Sequence, residues 1–349
     1  TALLGVDPAR SLRSINQEAH KVWLYYLLSI ALASALCAQG ARPRSEGGVP
    51  LAAASRLPLA ALAVGFALAS LTGIAQALTG ALSGVPVRAH AFVHPVTFGE
   101  QAAVGLLGAF CFLLSPSPET SSGLPRRLLW GLAALLGAGL LLSNTRGAAL
   151  AAAAGGLAVL WLAPHWRRWS AAALLACALA FVAMDLSHSE RSILNEALAK
   201  NPIERPQLMR LTFWSVALRM GLDHPWTGVG LNNYRTDFNR YYQGPLEGGA
   251  KDWGDAHNIY LHQFAERGLL GAAALLWFFF AFWRRSLARA REHPGAENLW
   301  AYGAATAFLV MNLTETAFQT ELAWMLVFFV WLWAEAAHRR KADAHDDSL

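Results

Sequence analysis

Charge is what this chain has least of. Asp, Glu, Lys and Arg make up only 15% of its 349 residues, while 55% are hydrophobic; a soluble domain carries about 25% charge. With a mean hydropathy of +0.32, a wholly water-exposed globule is excluded. The period-two alternation of barrel strands is missing as well, because the apolar runs are continuous, so a closed β-barrel is excluded too. Cysteine is scarce. Cys37, Cys111 and Cys177 lie in or at the ends of apolar runs and match no metal spacing, which makes them small buried hydrophobes. The net charge of +5 comes without any nucleic-acid motif, and its basic residues sit mostly in short loops. That distribution is a topology signal and excludes nucleic acid as a partner.

What the chain does have is a series of apolar runs near 22–39, 57–79, 99–115, 128–142, 147–163, 169–186, 259–283, 299–318 and 322–337. Each approaches or exceeds the roughly 17–25 residues that span a bilayer. The predicted fold is therefore all-α, a polytopic transmembrane helix bundle of about nine spans. Read as one helix, 128–163 would be about 54 Å long, well beyond a roughly 30 Å hydrocarbon core. Ser143-Asn144-Thr145-Arg146-Gly147 is turn chemistry, so the pair is a tight hairpin with Arg146 at its tip.

Basic clusters at Arg42/Arg44/Arg56, Arg126/Arg127, Arg167/Arg168, Arg284/Arg285/Arg289/Arg291 and Arg339/Arg340/Lys341 fall on one side of a nine-span bundle, the cytoplasmic side. The other side receives residues 1–21, the loop 80–98, the tip at Arg146, the segment 187–258 and a short turn near 319–321. The chain thus divides into transmembrane helices over 1–186 with an outer loop at 80–98, a long outer segment over 187–258, and transmembrane helices with a cytoplasmic tail over 259–349. It begins outside, at Thr1 and without a signal peptide, which points to an odd number of upstream spans.

In the outer segment, Ser189 to Lys200 predicts a short helix, broken at Asn201-Pro202 and Pro206. Gln207 to Leu222 predicts a second one, with Met209, Phe213, Val216, Ala217 and Met220 on an apolar face. Arg210 and Trp214 are four apart and share a face. A glycine-rich turn follows from His224 to Gly230, and aromatics recur at Tyr234, Phe238, Tyr241, Tyr242 and Trp253. Such aromatics anchor proteins at membrane surfaces, and they also suit stacking on sugar rings.

The densest stretch is Asp255 to Gly271, where His257 and Asn258 stand at the mouth of an apolar helix with Gly268 and Gly271 beyond. Polar clusters at such places are functional sites by default. The pattern His-Asn, nine residues, Gly, two residues, Gly resembles the signature of the O-antigen ligase and polymerase superfamily of bacterial membrane glycosyltransferases. Arg210, Trp214, Pro225, Gly228 and Gly230 are similar to the family's Arg-x3-Trp and Pro-x-x-Gly-x-Gly elements. Arg88 through His94-Pro95 to Phe98 resembles its outer loop, and Arg146 its Arg-Gly hairpin tip. The resemblance covers roughly 80–330 and implies about a dozen helices, three of them upstream.

It further implies a bacterial inner-membrane enzyme with a periplasmic active site and no cofactor. The donor would be an undecaprenyl-diphosphate-linked glycan and the acceptor lipid A–core oligosaccharide. His257 would be the general base, the side chain that titrates near neutrality. Arg88, Arg146 and Arg210 would grip the diphosphate, since a guanidinium donates bidentately and stays charged. Asn258, Trp214, His94, Tyr241 and Tyr242 would contact substrate, and all four basic residues would meet in one outward-facing cavity. Each arginine could equally be a snorkelling or loop charge, and His257 could satisfy a loop carbonyl. Gly268 and Gly271 suit close helix packing, and His262 suits packing behind His257. Asp252 or Asp255 could orient His257, while Glu315 and Glu321, at the outer ends of the last spans, suit capping or ion pairing. No Asp-x-Asp metal motif stands on the outer face.

Acceptors with a growing O-antigen (polymerase) or a protein Ser or Thr (protein O-oligosaccharyltransferase) remain open. A transporter or flippase for the same lipid would bring buried mid-membrane charges and repeats with broken helices, neither of which is evident in the sequence.

Overall fold

Long apolar stretches free of interior proline have one economical way to satisfy their backbone, the helix, and helices are what form. The structure, a computed structural model, describes residues 6–7, 57–85, 87–115, 124–163, 209–246 and 252–346. Among these, nine helices and no strand are present. They are α1 (Leu57–Leu82), α2 (Pro95–Leu114), α3 (Arg126–Ser143), α4 (Arg146–Leu162), α5 (Met209–Asp223), α6 (Tyr234–Tyr241), α7 (Ile259–Glu292), α8 (Ala296–Thr314) and α9 (Glu321–Asp346). Seven of the expected spans coincide with α1–α4 and α7–α9. The runs 22–39 and 169–186, and the helix expected at Ser189 to Lys200, lie outside the described residues. By length and composition, α1, α2 and α7 are long and apolar enough to cross a membrane.

The chain forms two compact units. One of them contains α1 to α4, residues 283–308 and most of α9. Here glycine sets how closely helices approach. A Cβ at Gly155 would fall 2.5 Å from the Gly303 carbonyl oxygen, and one at Gly108 would fall 2.6 Å from the Trp300 ring. Trp300 fills that space, donates its indole N–H to the Val104 carbonyl at 2.8 Å and packs with Phe112 and Trp333. The hairpin forms as the turn residues require: α3 ends in Asn144, left-handed at φ 48°, and α4 starts two residues later.

The other unit contains α5, α6, residues 252–282 and residues 309–321. Its core is the α5 face Met209, Phe213, Val216, Ala217 and Met220, joined by Val229, Tyr234, Phe238, Ala256 and Ala265.

One feature escapes the apolar pattern of 259–283: α7 is broken. Gly268 takes φ 63°, ψ −163°, which is non-helical and open to glycine alone. The Pro225–Gly230 turn fills the break. Val229 and Gly230 donate to the Ala265 and Glu266 carbonyls (2.8 and 3.0 Å), and Leu269 donates to Pro225 (2.7 Å). At Gly268 and Gly228 a Cβ would lie 2.4 and 2.3 Å from backbone carbons on the opposite side. The glycines of this motif are thus conformational and steric necessities of one docking event. Gly271 leaves room for Arg267, whose Cβ would otherwise be 2.2 Å away.

Candidate active site

His257 stands just ahead of α7, itself left-handed at φ 47°. A non-glycine residue there needs holding. Asp255 holds it, accepting the His257 backbone N–H at 2.7 Å in a short Asx turn. Asn258 then caps α7: its Oδ1 accepts the Leu261 N–H at 3.0 Å, and its Nδ2 donates to the Leu313 carbonyl at 3.0 Å. This second bond ties the mouth of α7 to the end of α8, so that Glu315 arrives beside His257.

Glu315 is the centre of the site. Oε2 lies 3.1 Å from His257 Nδ1, and Oε1 accepts from Arg210 Nη2 at 2.5 Å. One buried carboxylate thereby joins an imidazole and a guanidinium. Arg210 comes from the first turn of α5, and Trp214 follows one turn later. The indole Nε1 of Trp214 is buried without a hydrogen-bond partner among the described residues. Phe213 and Trp253 stack at 4.7 Å, and each ring centroid is 6.0 Å from the His257 ring.

The electrostatics follow from this geometry. Burial, the largest single influence on His257, pushes its pKa down. The Glu315 hydrogen bond and the Asp255 and Glu315 charges outweigh burial and hold it above the ordinary 6.5. For Glu315, burial pushes upward, but the His257 hydrogen bond and the Arg210 charge prevail and hold it below 4.5. An imidazole donating Nδ1–H to a carboxylate presents Nε2 as an acceptor. Nε2 makes no hydrogen bond among the described residues, which is the arrangement a general base needs.

A second polar layer lies behind. His262 and Glu266, both buried on the first turns of α7, approach to 3.6 Å (Nε2 to Oε2), and Glu266 Oε1 accepts the Tyr234 N–H at 3.1 Å. His262 therefore braces the segment beneath the site. Tyr241 donates its hydroxyl to Asp223 at 3.0 Å, and burial together with that carboxylate pushes its pKa up to about 12. Tyr242 donates to the Pro245 carbonyl at 3.1 Å. Asp252 turns away from His257 and pairs with Arg235 at 2.6 Å, leaving Asp255 and Glu315 as the acidic partners of His257.

The other expected residues belong to the first-described unit. Arg88 Nε donates to the Ser143 carbonyl at 2.7 Å, and Nη2 reaches the Asn144 carbonyl and Thr145 Oγ1 at 3.3 and 3.2 Å. It caps the end of α3, three residues that directly precede Arg146. Arg146 opens α4, so its cation stands at the positive end of that helix. Thr145 Oγ1 also donates to Pro95 O at 3.1 Å, locking the tip onto the start of α2. His94 caps α2, its Nδ1 accepting the Val96 N–H at 3.3 Å. Gln76 braces the loop ahead of α2 from α1, bonding Ala91 through both ends of its amide at 2.8 Å.

Glu315, expected from the sequence as a capping or ion-pairing residue, pairs with Arg210 and His257. Its only signal was a carboxylate at the end of an apolar run, and its partners are 58 and 105 positions away. No curated protein matches the chain. Residues 131–276, which run from α3 through α5 and α6 to the middle of α7, match the O-antigen ligase family model.

Proposed function

We propose that this protein is an inverting, metal-independent glycosyltransferase of the bacterial inner membrane. It moves an O-antigen glycan from undecaprenyl diphosphate onto lipid A–core oligosaccharide at the periplasmic face. The observation that carries this reading is Glu315 bridging His257 Nδ1 and Arg210, beside an Nε2 without a hydrogen-bond partner among the described residues.

The acceptor hydroxyl loses its proton to His257 Nε2 as its oxygen attacks the anomeric carbon of the donor. The bond from that carbon to the diphosphate oxygen breaks, and undecaprenyl diphosphate departs with the electron pair. With no protein nucleophile the anomeric centre inverts. Glu315 fixes the tautomer beforehand and stabilises the imidazolium afterwards, as a carboxylate does for a hydrolase histidine. Charge developing on the diphosphate meets preorganised arginine: Arg210 is the candidate beside Glu315, and Arg88 and Arg146 are further candidates by residue type. Trp214, Asn258, Tyr241 and Tyr242 are the candidates for contact with the sugars, and His94 is a further candidate by residue type.

A break in a long helix is also a transporter feature. Here the carbonyls freed by the break are already occupied by Val229 and Gly230, so they are closed to a passing ion or headgroup. That favours the enzyme over a flippase. The polymerase and the protein O-oligosaccharyltransferase share this chemistry and differ in acceptor. Purified protein given the lipid-linked glycan with lipid A–core, free O-antigen or a protein acceptor in turn tests the reading. Transfer to lipid A–core alone supports the ligase, and transfer to none overturns it.

A further inference from the structure

We propose that α5 lies in the membrane interface, with Leu211, Leu218, Leu222 and Trp226 immersed among lipid acyl chains. The helix is apolar on two opposite faces. One face builds the core around Phe213, Val216 and Met220. The other presents Leu211, Leu218 and Leu222, which remain 56%, 44% and 62% exposed. Spaced i, i+7 and i+11, they form a stripe about 40° wide at roughly 100° per residue, diametrically opposite the core face. An isolated exposed leucine needs no explanation, but an aligned row does. A helix apolar on both sides is covered on both sides.

What covers this stripe is indicated by its continuation. Trp226, 65% exposed, follows α5 directly in the turn that docks into the α7 break, where Leu269 is bonded to Pro225. Beyond the break, Leu269 and Leu270 are 47% and 63% exposed, and the row continues through Leu276, Trp277 and Phe280 on a helix apolar enough to cross a membrane. The exposed row of α5 thus joins the lipid-facing row of α7 through one docked turn, within one compact unit. Tryptophan at that junction is where an interfacial anchor belongs.

Immersion also gives the site a depth. At roughly 100° per residue, Arg210 and Trp214 lie on the flank of α5, between its core face and its exposed stripe. A helix seated about 5–10 Å into the boundary of headgroups and acyl chains holds Arg210 level with lipid phosphates. This last step rests on the glycosyltransferase reading; the immersion does not.

The test is spin-label accessibility in the full chain, with Cys37, Cys111 and Cys177 replaced by Ala, reconstituted in phosphatidylethanolamine–phosphatidylglycerol vesicles. Labels go singly at Leu211→Cys, Leu218→Cys and Leu222→Cys. Leu276→Cys on α7 is the bilayer reference and Asn239→Cys on α6 the aqueous one. The expected result is collision with oxygen exceeding collision with a water-soluble nickel chelate at all three α5 positions, as at Leu276, with the order reversed at Asn239. Chelate access at Leu218 equal to that at Asn239 overturns the proposal. So does shielding from both reagents, which would mean that protein covers the stripe. Because the readout does not depend on turnover, absent glycan transfer with lipid-exposed labels would overturn the enzyme reading alone.

Discussion

The carboxylate of Glu315 meets Nδ1 of His257 at 3.1 Å across 58 positions of sequence, and the same carboxylate holds Arg210. Imidazole and guanidinium are therefore set by one group, and changes at either should be felt by the other.

His257→Ala should abolish glycan transfer while the protein stays folded and inserted. General-base assistance is worth about 10²–10⁴-fold in rate, and donor affinity should change little. Single-turnover rates measured beside binding of the lipid diphosphate separate these effects. Near-normal turnover would return His257 to a structural role.

Glu315→Gln should move the pH dependence. Transfer needs neutral His257, so the rate rises with pH through its pKa, which Glu315 and Asp255 hold above 6.5. The acid limb of kcat/KM should thus lie above 6.5 in the parent and fall in the variant, where burial is opposed by Asp255 alone. Stability follows the linkage. The raised His257 value contributes fully below its unfolded pKa, near 6.5, and fades as pH rises through the folded value. The lowered Glu315 value contributes above about 4.5 and fades as pH falls through the folded one. The loss of melting temperature in Glu315→Gln should accordingly be greatest between about pH 4.5 and 6.5. An unshifted acid limb would show that Glu315 does not act on the base.

Arg210→Lys should be impaired despite keeping its charge, because an ammonium cannot offer a planar fork to carboxylate and diphosphate together. Transfer rate and lipid-diphosphate affinity should both drop, and full activity would remove Arg210 from the clamp.

Gly268→Ala should be far more damaging than Gly84→Ala. Both residues have positive φ, which costs an L side chain about 1–3 kcal/mol, but a Cβ at Gly84 meets nothing within 4 Å, whereas at Gly268 it strikes the Trp226 backbone at 2.4 Å. Thermal melts in detergent should rank the two variants in that order. Equal losses would mean that the turn is not docked at the break.

Arg88→Ala should cost stability in its own right, about 1–3 kcal/mol for stripping donors from partly buried carbonyls. A variant with an unchanged melt would show that the α3 cap at Ser143 and Asn144 is not supported by Arg88.

Periodicity carried much of this. Continuous apolar runs can only be helices in a bilayer, so α1–α4 and α7–α9 were visible at once, and the four-residue spacing put Arg210 and Trp214 on one side of α5. His257 stood out because a polar pair at a helix mouth is costly. What periodicity cannot register is φ. Gly268 fits a packing glycine as well as a helix break, and the leucines on both sides continue the apolar run unbroken. Nor can local pattern join Glu315 to His257 or Arg88 to the Ser143 carbonyl 55 positions later. Those links exist only once the helices are placed.

The bonds that Ala265, Glu266 and Leu269 make with the Pro225–Gly230 turn bear on how this molecule assembles. Backbone groups left unmet within a bilayer cost several kcal/mol each, so α7 cannot settle into its broken form before residues 225–230 arrive. Completion of that helix and docking of residues 225–230 become one cooperative event, although they are separate stretches of chain. In hydrogen exchange the amides of Val229, Gly230 and Leu269 should open together, and the chain would have no stable intermediate in which α7 is finished and the Pro225–Gly230 turn is loose.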